Sequence, residues 1–100
     1  MSTVVVRYQV KADRADENQR LVEAVFAELA AKTPGGLRYT TFRLADDTFV
    51  HIAEVEGDSN PLNDTAAFAE FTSAIADRCT PGNEPNPQPA TRVGAYRSSV

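Results

Sequence analysis

His51 is the only histidine of this 100-residue chain, and imidazole is the side chain best suited to moving protons near neutral pH. It lies in TFVHIAEVE, residues 48–56, whose alternation of apolar and polar residues is typical of a strand. In a ligand cavity, His51 would be able to act as a general base toward a phenolic substrate. Turned toward packed helices, it would be a neutral structural residue that needs one hydrogen-bond partner. The residues alone leave both interpretations open.

Further polar residues share one predicted face of the same sheet. Arg7 or Arg43 would stabilise an anionic oxygen such as a phenolate or enolate, while Tyr39 donates or accepts a proton. The alternative is an interface network in which either arginine pairs with Glu54. The remaining residues of this face, expected to contribute to binding, are Gln9, Thr41, Val50 and Ile52.

Metal and thiol chemistry find little support in the residue types. One histidine and one cysteine cannot supply the three or four side chains that a zinc site generally needs. Cys79 is predicted at the end of a helix, where the helix dipole would raise the pKa of its thiol. We therefore expect no metal, no cofactor and no catalytic thiolate.

Composition and charge narrow the class of protein. The chain is 42% hydrophobic and 24% charged, which suits one globular domain over residues 1–100. Its net charge of -4 argues against nucleic-acid binding. No apolar run is long enough to span a membrane, and MSTVVVRYQV lacks the features of a secretory leader. A single cysteine fits a reducing compartment, so a cytoplasmic protein is expected.

The first half of the chain predicts a strand, a helix and a hairpin. The strand begins near Val4, and a helix capped by Asp13 follows over residues 14–32. TPGG, residues 33–36, ends that helix. GLRYTTFRL and TFVHIAEVE then flank a turn at Asp46 and Asp47.

A two-residue turn in this hairpin would set Phe42 opposite His51 and Leu44 opposite Phe49. His51 would then face the helices with Phe42, while Tyr39 would lie on the opposite face of the sheet. Also on that opposite face would be Thr41, Arg43, Val50, Ile52 and Glu54. A slip of one residue would exchange the faces of one strand relative to the other.

The second half predicts a helix opened by Asp64 or Thr65 and ending near Cys79, a proline-rich loop, and a last strand in TRVGAYR, residues 91–97. The element order βαββαβ predicts an α+β, ferredoxin-like fold, with a four-stranded antiparallel sheet and both helices on one face. A second copy of the chain would cover the other face and enclose a cavity for a small molecule.

Four segments carry a resemblance to a known family: VVVRYQVK, PGGLRYTTFRLADDTFVHIAEVEG, AAFAEFTSAIADRC and VGAYR. Together they resemble the antibiotic biosynthesis monooxygenase superfamily of dimeric alpha-beta barrel proteins over nearly the whole chain. The resemblance implies a homodimer whose cavity takes a small aromatic or quinol-like molecule. It also implies a cofactor-independent monooxygenase or a related small-molecule enzyme.

Departures from the family pattern concentrate in the second helix. The oxygenase and haem-degrading members have an asparagine, a tryptophan and often a histidine in or beside it. This chain has no tryptophan, and DTAAFAEFTSAIADRC contains neither asparagine nor histidine. No catalytic role is therefore assigned to that helix. The alternative function is a non-catalytic dimeric binding or interaction module whose cavity is filled by its own side chains.

Overall fold

A computed structural model describes residues 2–99 and shows a four-stranded antiparallel sheet with the order β2-β3-β1-β4. The strands are β1 Ser2–Gln9, β2 Leu37–Arg43, β3 Thr48–Val55 and β4 Gln88–Ala90. The α-helices are α1 Ala15–Lys32, α2 Ala66–Ser73 and α3 Ile75–Arg78, and short 3-10 helices span Ala12–Arg14 and Pro61–Asp64. The predicted α+β, ferredoxin-like fold is confirmed.

Helix α1 forms because its apolar residues recur on one face. Val22 and Val25 are buried on that face, and Asn18 lies on the same stripe one turn earlier. The helix cap differs from the expectation: the chain enters through the 3-10 turn, Arg14 takes the cap position, and no side chain of residues 2–99 caps the helix. Asp13 is therefore not the cap, because it lies inside the preceding turn.

The sequence-based prediction of the hairpin register is wrong by one residue. Thr41, not Phe42, lies opposite His51, and Phe42 lies opposite Val50. The turn holds Ala45 as well as the two aspartates, since Leu44 N–H donates to Thr48 O at 2.8 Å and Asp47 adopts a left-handed φ of 64°. Such a three-residue loop ends in a left-handed residue and shifts the pairing.

This shift of one residue exchanges the two faces of β2 relative to the prediction. Tyr39, Thr41 and Arg43 now share the helix side of the sheet with His51, whereas Phe42 is 54% exposed on the outer side. The outer face carries the other predicted residues, namely Arg7, Gln9, Val50, Ile52 and Glu54, along with Val5.

The predicted second helix is interrupted at Ala74, whose φ of -134° and ψ of 29° leave the helical region. In a continuous helix the carbonyl of Phe71 would accept the N–H of Ile75. Here that carbonyl accepts a hydrogen bond from Arg78 Nη2 at 2.6 Å. Cys79 lies beyond the helix and forms a bridge with Val10 instead of completing the helical stripe.

The last strand is also displaced from its predicted position. Gln88–Ala90 pairs with residues 3–5 of β1, and residues 91–99 form no strand. Pro89 is compatible with this strand because β4 is at the edge of the sheet, where a missing donor costs little. Val93 and Tyr96 are 99% and 92% exposed.

The core lies between the helix side of the sheet and the helices. Its fully or nearly fully buried members include Tyr8, Val10, Val25, Phe49 and Phe71. Within residues 2–99, none of the helices combines the length and apolar character needed to cross a membrane.

Candidate functional site

An apolar cavity of 270 Å³ lies between the helix side of the sheet and the helices; we call it the sheet–helix cavity. Val6 and Ala53 line it from the sheet, and Phe68 and Ile75 line it from the helical side. Its polar wall is formed mainly by three ring side chains, those of Tyr8, Tyr39 and His51. A small apolar cavity with a few convergent polar groups is the usual form of a ligand site.

His51 is at the centre of this polar wall and is only 4% exposed. Its Nε2 lies 2.8 Å from Tyr8 Oη. Its Nδ1 lies 2.5 Å from Tyr39 Oη and 3.1 Å from Thr41 Oγ1. Burial lowers the pKa of His51 to about 4, so the ring is neutral at physiological pH. The residue is thus buried on the helix side of the sheet, and it also lines a cavity.

The hydrogen-bond chain continues inward from Tyr8. Asn18 Nδ2 donates to Tyr8 Oη at 3.0 Å, and Arg78 Nε donates to Asn18 Oδ1 at 3.0 Å. Asn18 is fully buried, and Arg78 is 2% exposed. Helix α1 supplies Asn18, the last turn of α3 supplies Arg78, and β1 supplies Tyr8. We call Thr41, Tyr39, His51, Tyr8, Asn18 and Arg78 the polar chain.

Both tyrosines of the polar chain stay protonated. Burial raises the pKa of Tyr39 to about 12, and burial raises the pKa of Tyr8 still further. A phenol with a raised pKa is a hydrogen-bond donor at every physiological pH. The polar chain can therefore donate to, or share a proton with, an oxygen atom in the cavity.

Packing of aromatic rings holds the imidazole in place. The ring centroids of Tyr8 and Phe71 each lie 5.3 Å from that of His51, and the Tyr39 centroid lies 5.7 Å away. Tyr39 also stacks on Phe26 of α1 with a centroid distance of 5.0 Å. These contacts limit the rotation of His51 and Tyr39, which is what a precise binding site requires.

The structure brings together three of the predicted site residues: Tyr39, Thr41 and His51. Arg43 is on the same side of the sheet but lies outside the cavity, where it contacts Asp16 at 3.1 Å and Asp47 at 2.8 Å. Its role as an oxyanion partner in the same site as His51 is therefore not supported by its position.

The other predicted residues lie elsewhere. Arg7 is exposed beside an open polar cleft at the end of β1. Gln9 in that cleft donates to Asp46 O at 3.1 Å and accepts from Thr80 at 3.1 Å, so it ties loops together. Glu54 pairs with Arg92 at 2.7 Å and with neither of the expected arginines.

The remaining two, Val50 and Ile52, lie on the outer face of the sheet with Glu54. Only Tyr39 and His51 of the nine predicted site residues line the sheet–helix cavity. The reason is the register: each strand places alternate residues on opposite faces, so one extra residue in the turn separates the two sets.

Three residues of the polar chain escape prediction from the sequence: Tyr8, Asn18 and Arg78. Two of them, Tyr8 and Asn18, have a signal that sequence reasoning can use. Tyr8 interrupts the valines of β1, and Asn18 interrupts the apolar stripe of α1 that continues with Val22. A polar residue at a position that must be buried needs a hydrogen-bond partner, so Tyr8 and Asn18 are expected to hydrogen-bond to each other. Arg78 has no comparable signal, because its burial depends on the break in the helix.

Within residues 2–99, no three histidine, cysteine, aspartate or glutamate side chains come close enough together to hold a metal ion. Cys79 is buried away from the cavity wall, and burial raises the pKa of its thiol. Among the residues that line the sheet–helix cavity, the titratable groups are the neutral imidazole of His51 and the hydroxyls of Tyr8 and Tyr39.

No model of a protein family matches this sequence, and no curated protein matches it either. Solved structures, in contrast, share its fold. A protein of Nitrosomonas europaea named as an antibiotic biosynthesis monooxygenase superposes with a TM-score of 0.73 at 17% identity, covering 94% of this chain and 100% of its own. SnoaB, a cofactor-independent oxygenase from Streptomyces nogalater, superposes with a TM-score of 0.67 at 19% identity, covering 97% of both chains.

These superpositions establish the fold, but at such low sequence identity they leave the reaction open. The family resemblance seen in the sequence is confirmed at that level, over nearly the full length of the chain. The chain accordingly has the fold of the antibiotic biosynthesis monooxygenases.

Proposed function

We propose that this protein binds a small hydroxyaromatic molecule in the sheet–helix cavity and oxidises it with molecular oxygen, without metal or flavin. The observation that carries the proposal is the pairing of Tyr39 with His51 in the wall of an otherwise apolar cavity. The fold shared with a cofactor-independent oxygenase supports the same class of reaction.

The size of the cavity limits the ligand. A dry cavity of about 150 Å³ holds one benzene ring, and the sheet–helix cavity measures 270 Å³. A molecule of two fused rings therefore fits better than a larger polycyclic one. Phe68, Phe71 and Ile75 would contact the ring faces, while a ring oxygen would reach the polar wall.

The residues contribute by binding, orienting and stabilising charge. The hydroxyl of Tyr39 stabilises the ionised oxygen of the substrate, because a fixed donor in a dry cavity favours an anion strongly. The ionised ring is itself the electron donor to oxygen, and the cavity orients it and excludes water.

For a naphthol, one atom of oxygen enters the ring and the product is a quinone. The other oxygen atom leaves as water, whose two hydrogens come from the hydroxyl group and from the attacked carbon of the naphthol. No outside reductant is needed, since the substrate supplies all the electrons. His51 stays neutral and positions Tyr39 throughout.

We also propose that the protein is a homodimer joined through the outer face of its sheet. Val5, Val50 and Ile52 form an apolar centre on this face, and Phe42 extends it at 54% exposure. The helices cover only the other face. A second copy is the economical partner, because two-fold homodimers are the commonest oligomers of soluble proteins. A cytoplasmic location, suggested by the unpaired Cys79, belongs to the same proposal.

A second candidate function is binding without catalysis. It is favoured by the fact that both ring nitrogens of His51 already have partners within the chain. In this alternative the cavity accepts an aromatic ligand and no oxygen is consumed.

The experiment that separates the two functions combines binding with oxygen uptake. Purified protein is screened by thermal shift against naphthols and naphthoquinols, and oxygen consumption is followed with each ligand that binds. The proposal expects uptake that falls about 100-fold in Tyr39→Phe, the usual cost of one lost oxyanion donor. The matched control is Tyr96→Phe, because Tyr96 is 92% exposed and outside the cavity. Binding with no uptake above the rate in buffer would establish the second function instead.

A further inference from the structure

We propose that Arg78 and Asn18 are positioning residues that fix the direction of every hydrogen bond in the polar chain. As a result, His51 carries its proton on Nδ1, and Tyr39 offers its hydroxyl hydrogen to the cavity. The ligand oxygen that meets Tyr39 must then be an acceptor, such as a phenolate or a quinone carbonyl.

The direction starts at Arg78, because a guanidinium only donates. Its Nε lies 3.0 Å from Asn18 Oδ1, and its Nη2 donates to Phe71 O at 2.6 Å. No carboxylate of residues 2–99 lies within ion-pair distance of this buried cation. The amide oxygen of Asn18 is therefore one of its few acceptors, and a flipped Asn18 would set an NH₂ group against a donor.

Asn18 passes the direction on to Tyr8. With its oxygen held by Arg78, the amide turns its Nδ2 to Tyr8 Oη at 3.0 Å. Tyr8 accepts that hydrogen and must donate its own to its other partner, His51 Nε2, at 2.8 Å. Tyr8 is 2% exposed, and among residues 2–99 His51 Nε2 is the acceptor within hydrogen-bond distance of its hydroxyl.

His51 then has only one possible tautomer. Its Nε2 is the acceptor from Tyr8, and burial keeps the ring neutral, so the proton is on Nδ1. That N–H points to the hydroxyls of Tyr39 at 2.5 Å and Thr41 at 3.1 Å. Neither hydroxyl can donate back to Nδ1, so both keep a hydrogen for other acceptors.

Tyr39 is the hydroxyl of this pair that lines the sheet–helix cavity, whereas Thr41 lines a separate surface depression beside Arg43. The available hydrogen is therefore presented to a ligand by Tyr39. This last step rests on the proposed function, because it assumes that the cavity is occupied. The tautomer of His51 does not depend on that assumption.

The test uses the protein without ligand and reads the two ring nitrogens of His51 by nitrogen-15 NMR at about neutral pH. His51 is the only histidine in the chain, so its signals need no assignment. The proposal expects a protonated Nδ1 and an unprotonated Nε2, the tautomer that free histidine disfavours. A protonated Nε2 would overturn it. Oxygen uptake is not involved, so failure here is distinct from failure of the proposed function.

The variant Asn18→Asp tests the origin of the direction. A carboxylate keeps the shape and the contact with Arg78 but only accepts, so Tyr8 would donate to it and His51 would reverse. The proton is expected to move from Nδ1 to Nε2. The matched control is Asn60→Asp, since Asn60 lines the cavity and only accepts from Leu62 N–H. An unchanged tautomer in Asn18→Asp would show that Asn18 does not set it.

The variant Arg78→Met tests the first step alone. Without the guanidinium, Asn18 is free to flip, and signals of both tautomers are expected. A single Nδ1-protonated species in this variant would remove Arg78 from the proposal. If the variant fails to fold, the wild-type spectrum and Asn18→Asp still decide the matter.

Discussion

His51 shows how much the environment of a single residue decides. Its sequence context is an ordinary alternating strand, yet burial keeps its ring neutral, and hydrogen bonds to three hydroxyls hold the ring in place. A neutral, fully partnered imidazole is a poor base and a good organiser of neighbouring hydroxyls. The chemistry we propose accordingly uses Tyr39 at the ligand and His51 behind it.

The lowered pKa of His51 predicts a loss of stability in mild acid. In the unfolded chain His51 binds a proton near pH 6.5, whereas in the folded chain it does so only near pH 4. The stability of the folded state is therefore greatest above pH 6.5 and decreases as the pH falls, because the unfolded chain then binds more protons. Between about pH 7 and pH 5 we expect the free energy of unfolding to drop by about 2 kcal/mol through this residue. Urea unfolding at both pH values measures the drop.

The control is His51→Gln, in which this part of the pH dependence should vanish. Carboxylates with lowered pKa values, such as Glu17 and Asp46, titrate below this window. An equal drop in the variant would contradict the buried neutral state of His51.

Tyr8 and Tyr39 should differ in their contribution to stability. Tyr8→Phe leaves Asn18 Nδ2 and His51 Nε2 without their shared buried partner. Such unsatisfied groups cost about 1–3 kcal/mol, which urea unfolding should detect. Tyr39→Phe should cost less, because Thr41 Oγ1 remains 3.1 Å from His51 Nδ1. Equal losses would show that Tyr8 is not the central link of the polar chain.

At the scale of the elements, the alternation of apolar and polar residues in β1, β2 and β3 is enough to predict the fold. It is not enough to predict the register in which β2 pairs with β3. The extra turn residue decides which face of β2 meets the helices, and Ala45 carries no signal for it. A left-handed φ at Asp47 is compatible with aspartate but not demanded by it. That single uncertainty placed Tyr39 and Thr41 on the wrong face.

The other errors in element bounds arise from tertiary contacts. Arg78 donates to the Phe71 carbonyl across the break at Ala74, and no local pattern predicts this. Helix α2 likewise begins where Glu28 of α1 accepts from the N–H groups of Ala66 and Ala67, at 3.1 and 2.8 Å. A residue 38 positions earlier thus acts as its cap.

The end of α1 offers a test at this scale. Thr33 has a φ of 46°, a left-handed conformation that is strained for a β-branched residue. Thr33→Gly removes the strain, and we expect the free energy of unfolding to rise by about 1 kcal/mol. Thr33→Ala is the matched control and should gain less, since it keeps a Cβ. Destabilisation by glycine would contradict the left-handed helix end.

At the scale of the whole molecule, the two faces of the sheet have different uses. The helix side holds the sheet–helix cavity and the polar chain, and the outer side holds the apolar centre around Ile52. The sequence predicts both faces correctly for β1 and β3, because their alternation is regular. The sequence does not predict that the cavity lies within one chain, because this depends on which face of the sheet carries Tyr39 of β2.

The proposed homodimer predicts that Ile52→Glu separates the two copies. A charge placed on the apolar centre of the outer face would be buried without a partner in the dimer, which is strongly unfavourable. Light scattering after size exclusion should give twice the chain mass for the wild type and the single chain mass for the variant. Ala69→Glu, on the exposed side of α2, should remain dimeric. A monomeric wild type would rule out the proposed assembly.

The most direct test of the central claim is to locate a bound ligand by methyl NMR during titration with a naphthol. If the sheet–helix cavity is the site, the methyl signals of Val6, Ala53 and Ile75 should shift together as the cavity fills. Saturable shifts confined to these residues are the predicted result. Shifts confined to Val5 and Ile52 on the outer face, with the cavity methyls unchanged, would contradict it.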